Sequence, residues 1–435
     1  MIPLPPNPAA RKTCCQKDLH LPFRFVHTAD LHLDSPLKSL GFRDPALAET
    51  VGVATRTALT RIVDLCLAEA VDALIVAGDL YDGAQVSMKT ARFLAQELQR
   101  LDAAGIRTFV IRGNHDAMSR ITRELVLPPS VTVFGAKPST VRFDLRGDTV
   151  AVHGLSFAQP QAPESLLPRY PAPLAGAINI GLMHTSLNGS PTHDVYAPCA
   201  VADLDAAGYD YWALGHIHVR AVHQGRASVV MPGIPQGRDI GEAGAKSVTL
   251  AEVSTSGVRL EARSVAAVRF DRAVVDVAGL SDWPALVDAV TGALHGHRGR
   301  DGGADHLVLR LVLTGATPLG WRVRRDLDLV REQAALVAEG IGSVWIDKLE
   351  DATDPDGAPT PGLPDDLAAA LAGLAADPAI RAQADQAIDD VLKALPRDLR
   401  GMLGDDPASV AAARDALLRD GAALVLSHLA AREDR

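Results

Sequence analysis

Five stretches of this chain run out of apolar residues just where Asp, His or Asn appears, and this pattern constrains the fold more than any other feature. FRFVHTADLH (23–32) leads into Asp30-Leu31-His32, VDALIVAGD (71–79) into Gly78-Asp79, and IRTFVIRGNHD (106–116) into Gly113-Asn114-His115-Asp116. INIGLMH closes on His184, and YWALGH leads into Gly215-His216-Ile217-His218. A short, continuous apolar run is the mark of a strand buried on both faces. Between the first three runs lie helical patterns at 45–71 and 88–105, the second amphipathic and closed by Gly105. This β-α-β-α-β alternation predicts a layered α/β domain.

From about 130 to 270 the pattern changes to short strands such as VTVF, VRFDL, TVAVHGLSF, SVVMPG, KSVTLAEVS and VRLEARSV, separated by Gly, Pro and Asp turns. Residues 21–268 are therefore read as one domain, a β-sandwich flanked by helices. A strand–helix–strand–helix–strand unit over 269–351 is read as a small α/β cap, with its second helix at 322–340. ATDPDGAPTPG (352–362) has linker composition, and the Ala/Leu-rich segment 363–435 reads as several short helices. Residues 1–20, rich in Pro and polar residues, read as a flexible extension.

Composition narrows the function. Hydrophobic residues make up 47% of the 435, enough for sizeable cores, but aromatics are only 4%, so burial rests on Ala, Val, Leu and Ile. Residues 351–435 hold 16 Asp+Glu against 8 Lys+Arg, a net of −8 out of the −10 of the whole chain. The remainder is nearly neutral, so acidity does not exclude a polyanionic substrate, and bound divalent metals would make its site positive. Nor does any basic patch advertise such a substrate. The cysteines Cys14, Cys15, Cys66 and Cys199 form no CxxC pair and suggest no disulfide framework. No apolar run approaches the length of a membrane span, and the start of the chain lacks a signal-peptide core. A cytoplasmic protein is expected.

The polar strand ends carry the chemistry. On an extended backbone residues i and i+2 face the same side, so Asp30 and His32 are expected to meet one cation, and His216 and His218 to share one side. Alone, D-x-H or Gly-Asp is an ordinary turn, and a lone His184 is more often a structural residue. Five such ends in one chain outweigh those readings, because carboxylate, amide and imidazole together suit Mn, Fe or Zn.

DLH, GDLYD, GNHD, the lone His184 and GHIH, in that order over about 30–218, resemble the calcineurin-like metallophosphoesterase superfamily. HTADLHLDSPL, GDLYDG, HDVYAP (193–198) and PGIPQGR (232–238) resemble the SbcD-like DNA repair exonucleases, especially their YhaO-like branch. The resemblance implies a pair of divalent metal ions, Mn by expectation, with Fe, Zn or Mg as alternatives. Asp30, His32 and His218 would hold one ion, Asn114, His184 and His216 the other, and Asp79 would bridge them. Such pairs, about 3.5–4 Å apart, clamp the oxygens of an in-line displacement and generate the attacking nucleophile from water. His115 would stabilise or protonate the leaving oxygen, with Asp116 holding its imidazole in one tautomer; the competing reading makes Asp116 a turn cap. Asp82 stands where the SbcD-like nucleases often carry a His three residues after the bridging Asp, which puts a second acidic helper in doubt.

Weaker candidates surround this set. Asp82, His193 and Arg238 are placed near the substrate, with Asp194 beside them, although a loop-stabilising role suits His193 and Asp194 as well. Lys38, Arg43 and Lys89 are read as phosphate contacts or solvated charges, and His27 and His153 as structural histidines. The functional expectation is a two-metal DNA exonuclease or endonuclease in DNA repair. It would work with an SMC-like ATPase of the SbcC/YhaN kind docked on 363–435, and as a homodimer by analogy with the related nucleases. The alternatives are a phosphoesterase for small molecules or phosphoproteins, and a non-enzymatic module that kept the fold.

Overall fold

A computed structural model describes residues 22–35, 45–82, 87–117, 126–188, 196–300, 302–354, 377–395 and 406–430, with a few isolated residues between 370 and 404. The chain divides into two units. The first holds the residues up to Arg238 together with Ala245–Ala267, and the second holds Asp239–Gly244 and the residues from Val268 onward.

The first unit is built on two six-stranded sheets. The first sheet contains β1 (Phe23–Thr28), β2 (Ala73–Ala77), β3 (Arg107–Ile111), β4 (Val131–Val133), β11 (Ser247–Ser254) and β12 (Gly257–Ser264), in the order β12-β11-β1-β2-β3-β4. β1 through β4 run parallel, as strands joined by helical crossovers must. Those crossovers are α1 (Pro45–Ala68) and α2 (Met88–Ala103). Ser87 caps α2 by accepting from Thr90 N–H, and Gly105 follows its end at φ 73. The second sheet is β5-β6-β7-β8-β10-β9, made of β5 (Ser139–Leu145), β6 (Asp148–Gly154), β7 (Ala177–His184), β8 (Tyr211–Gly215), β9 (Ala221–Gln224) and β10 (Ser228–Met231). The short helix α3 (Val201–Ala206) precedes β8.

The central strands β2, β7 and β8 are buried along nearly their whole length, as their unbroken apolar runs require. One core lies between the sheets, where Phe25, Ile75 and Phe109 meet Val152, Ile180 and Tyr211. A second core packs the other face of the first sheet under α1 and α2, through Leu59, Ile62, Leu94 and Leu98. The sandwich thereby stacks the polar ends of β1, β2, β3, β7 and β8 toward one rim.

The second unit has a three-stranded parallel sheet in the order β13 (Val268–Asp276), β14 (His306–Ala316), β15 (Val344–Asp354). Its helices are α4 (Trp283–Arg298), α5 (Gly320–Arg325) and α6 (Leu327–Ile341), so the helix expected at 322–340 is two helices broken at Asp326. Leu286, Val290, Leu309, Leu311, Val330 and Ala334 form its core. β15 reaches Asp354, into the segment expected to be a linker from 352, and the rest of that segment lies outside the described residues. Further on come α7 (Pro378–Ala394) and α8 (Pro407–Ala430), joined by ion pairs from Arg414 to Asp385 and from Arg381 to Asp415. Among the described residues no helix is long and apolar enough to cross a membrane.

Candidate metal centre

β1 stops at Thr28, so Asp30 and His32 do not lie on a strand. Both adopt left-handed backbone, at φ 53 and 41, and Asp79 and His216 do likewise at 52 and 101. The reason given above for convergence, an extended i and i+2 pair, is therefore wrong for both Asp30/His32 and His216/His218. The segment after β1 is instead laid alongside the segment after β2. Asp30 N–H donates to Gly78 O (2.9 Å), His32 N–H to Asp79 O (3.1 Å) and Leu33 N–H to Leu80 O (3.0 Å). Left-handed non-glycine residues persist only where their surroundings fix them, and they gather at functional sites.

Among the described residues three groups of donor atoms, each within 4.8 Å, are able to hold a cation: Asp30 with His32 and His218, Asp30 with Asp79 and His184, and His32 with Asp79 and His115. His32 Nε2 faces His218 Nε2 at 3.2 Å. Two imidazole lone pairs aimed at each other repel unless a proton or a metal lies between them. His184 Nδ1–H donates to Ala77 O (2.9 Å), which turns Nε2 inward, 3.0 Å from Asn114 Oδ1 and 3.5 Å from Asp79 Oδ2. A backbone carbonyl fixing the tautomer in this way is the usual support of a ligating histidine. The His216 ring lies 5.2 Å from that of His184, and the His216 N–H donates to the Asp30 carboxylate at 3.0 Å. His216 thus sides with His184 while His218 sides with His32. Two glycines make the crowding possible. A Cβ on Gly113 would lie 2.2 Å from Asp79 Oδ1, and one on Gly78, at φ 99, 2.4 Å from His184 Nδ1.

The expected role of Asp116 is corrected. Its fully buried carboxylate accepts the N–H groups of Leu80 (2.9 Å) and Tyr81 (3.1 Å), the turn-capping alternative. The carboxylate that meets His115 Nδ1 is Asp82, at 3.2 Å. Asp82 also accepts from Ser35 Oγ (2.6 Å) and lies 3.7 Å from Arg238 Nη1 and 3.8 Å from His32 Nδ1. Asp82 was read as a departure and Ser35 was missed, because the bond between them joins segments far apart in sequence. His115 donates its N–H to Asp79 Oδ1 (3.1 Å) and keeps a side chain 39% exposed, open to a substrate. His27, between the Tyr211 hydroxyl and Leu214 O, and His153, between Thr140 and Asn179, are structural. Lys89 is exposed in the first turn of α2. Lys38, Arg43, His193 and Asp194 lie outside the described residues.

Residues 23–220 match the calcineurin-like phosphoesterase family, and 270–354 match the middle domain of metallophosphoesterase YhaO. The uncharacterized metallophosphoesterase YhaO of Bacillus subtilis (strain 168) is 31% identical over 390 residues, covering 85% of this chain and 94% of that protein. The chain belongs to the YhaO family of calcineurin-like metallophosphoesterases. Two archaeal DNA double-strand break repair proteins Mre11 are also similar. That of Sulfurisphaera tokodaii is 28% identical over 208 residues, covering 46% of this chain and 50% of that protein. That of Methanopyrus kandleri is 24% identical over 212, covering 45% and 44%. The YhaO likeness thus runs through both units, whereas each Mre11 likeness spans about half of either chain.

Calcineurin-like phosphoesterases are hydrolases with a dinuclear metal centre, and the electrostatics of this YhaO family member suit one. Burial raises the Asp30 carboxyl to about 6 and that of Asp116 to about 7. Burial also pushes the His32 imidazole down to about 3, so near neutral pH it is uncharged, with one ring nitrogen free to ligate. Burial would lower His184 too, but Asp79 and Asp30 outweigh it and raise the imidazole to about 9. Without a cation, then, a proton on His184 compensates these carboxylates, and a divalent ion is the natural replacement. The hydrogen bond that His115 donates to Asp82 raises its pKa, against its burial.

Proposed function

We propose that this protein is a two-metal phosphodiesterase that cuts DNA. The observation that carries the reading is the position of Asp79, whose Oδ2 lies 3.9 Å from His32 Nε2 and 3.5 Å from His184 Nε2, beside a partly exposed His115 braced by Asp82. Asp30, His32 and His218 would hold one divalent ion, and Asn114, His184 and His216 the other, with Asp79 shared; Mn best suits this mixed set, with Fe, Zn or Mg as alternatives. When bound, the two ions supply Lewis acidity toward the phosphoryl group and toward the attacking water. The chain's own residues do the rest. His115, whose pKa is raised by its hydrogen bond to Asp82, would give its proton to the leaving oxygen. Arg238, beside Asp82, is placed to meet a non-bridging phosphate oxygen. No Ser or Cys nucleophile is required.

DNA as substrate is supported by the likeness to the two Mre11 proteins, each over about half of this chain. The segment after 363, acidic and unneeded for hydrolysis, is assigned to docking an SMC-like ATPase, with a homodimer and a cytoplasmic location as parts of the same proposal. The test is Mn-dependent cleavage of end-labelled single- and double-stranded DNA, alongside an aryl phosphodiester, with wild type, Asp79→Ala and His115→Ala. Wild type is expected to cut DNA, and Asp79→Ala to lose activity by about 10³-fold or more. Hydrolysis of the aryl diester with every DNA left intact would overturn the nuclease reading and keep the metal centre.

A further inference from the structure

Asp34 belongs to none of the donor groups, yet it is the third of three alternate residues, 30, 32 and 34, in left-handed backbone, at φ 57. Its carboxylate receives both arms of the Arg56 guanidinium from α1, Nε at 2.6 Å on Oδ1 and Nη2 on Oδ2, together with the Thr90 hydroxyl from the first turn of α2. Its own N–H donates to Thr55 Oγ1 (3.2 Å), and Ser87 Oγ holds the Thr90 hydroxyl at 2.7 Å. The Arg56 and Asp34 side chains are only 22% and 27% exposed. Exposed ion pairs usually do little, but a bidentate, partly buried one fixes orientation as well as distance. This one joins two helices at a residue two positions after His32 and one before Ser35. Ser35 in turn bonds Asp82, which holds His115.

We propose that Asp34, with Arg56 and Thr90, is a positioning latch that keeps His32 in its ligating conformation and, through Ser35 and Asp82, aims the His115 imidazole. The inference rests on the metal-centre reading above. Hydrogen bonds one step behind metal ligands typically change metal affinity or activity 10- to 100-fold when removed.

The full-length protein would be prepared as wild type, Asp34→Asn, Arg56→Met, Thr90→Val and Arg56→Lys. Bound Mn per chain would be measured against free Mn, with the Mn spectroscopic signature, and kcat and KM taken on an aryl phosphodiester. Asp34→Asn and Arg56→Met should bind Mn about 10-fold more weakly and lose kcat with KM within about twofold of wild type. Thr90→Val, the mildest change, should move the same way by less, and Arg56→Lys should recover part of the loss. Asp72→Asn is the control, since Asp72 pairs with Arg146 and accepts the Arg24 N–H at the far end of the same strands. It should lower Tm and leave Mn affinity alone. Unchanged Mn affinity and kcat in Asp34→Asn and Arg56→Met, or an equal fall in Asp72→Asn, would overturn the latch. A wild type that binds no Mn would instead overturn the metal-centre reading.

Discussion

In the second unit Asp347, Glu350 and Asp351 face arginines: Arg310 reaches Asp347 at 2.6 Å and Glu350 at 3.4 Å, and Arg324 reaches Asp351 at 3.1 Å. In the first unit Asp30, Asp79 and Asp116 are more deeply buried, at 0 to 2% exposure, and are met by imidazoles and backbone amides. An arginine has no lone pair and keeps its charge at any ordinary pH, so the neutralisation it provides is permanent. An imidazole can carry a proton or surrender it and bind a metal. The second arrangement is the more labile of the two, and it is the one that can exchange a proton for a cation. Asp347, Glu350 and Asp351 thus serve as structure in the second unit, whereas Asp30 and Asp79 belong to a candidate reaction centre in the first.

Asp82 belongs to both classes, because it faces an imidazole and an arginine at once, and it offers the largest test of the contrast. His115→Ala should lower kcat about 10²- to 10⁴-fold while bound metal per chain stays as in wild type. Asp82→Asn should cost about 10-fold and also move the pH profile. The hydrogen bond to Asp82 raises the His115 pKa, so the acid form persists to higher pH in wild type. With Asn in its place the proton leaves earlier, and the alkaline limb of kcat should shift toward acid. An alkaline limb that stays put would mean that Asp82 does not control this proton.

The next effect belongs to the metal-free protein. His184 has a folded pKa of about 9 against an ordinary 6.5, so it binds more protons folded than unfolded between those values. Its contribution is fully present below pH 6.5 and is lost as pH rises through about 9, a fall of about 3 kcal/mol at most. His32, whose folded pKa is depressed, contributes no slope in that window because it is neutral in both states. Thermal melts in chelator should therefore weaken from pH 6.5 to 9, and saturating Mn should flatten the dependence. A chelated protein with equal Tm across the window would mean that the carboxylates around His184 are neutralised by something else.

Much of this was legible in the sequence, and what was not has identifiable causes. The β-α-β-α-β start followed from apolar runs too continuous to lie anywhere but in buried strands, and β1, β2 and β3 stand where they were read. Period and composition also marked where Asp30, Asp79, Asn114, His184 and His216 would sit, at strand ends on one rim. The backbone at those residues was hidden, because left-handed φ at Asp30, His32 and Asp79 is imposed by pairing between two loops far apart in sequence. For the same reason His216 and His218 separate although only one residue lies between them. The carboxylate that meets His115 was read as Asp116 and is Asp82, because which of the two reaches the imidazole depends on how two segments far apart in sequence meet. Arg56 and Thr90 carry no signal at all: they are ordinary helix residues until α1 and α2 bring them to Asp34.

The smallest effect sharpens the comparison from the other unit. Arg310→Met would leave Asp347, 9% exposed, without its arginine. Removing one partner of a partly buried pair should cost about 1–2 kcal/mol, or a few degrees in the Tm of this unit. Hydrolysis per bound metal should not change, since an arginine-paired acid has no exchangeable role. Adding Asp347→Leu should restore part of the stability, because an apolar side chain removes the partly buried charge along with its desolvation penalty. In the first unit, replacing Asp79 by an apolar residue should also destabilise the metal-free protein, since the His184 proton loses its carboxylate, and should abolish the exchange of proton for cation. If instead Arg310→Met lowers activity per bound metal, the acids of the two units are not separate systems, and the division between permanent and exchangeable compensation must be redrawn.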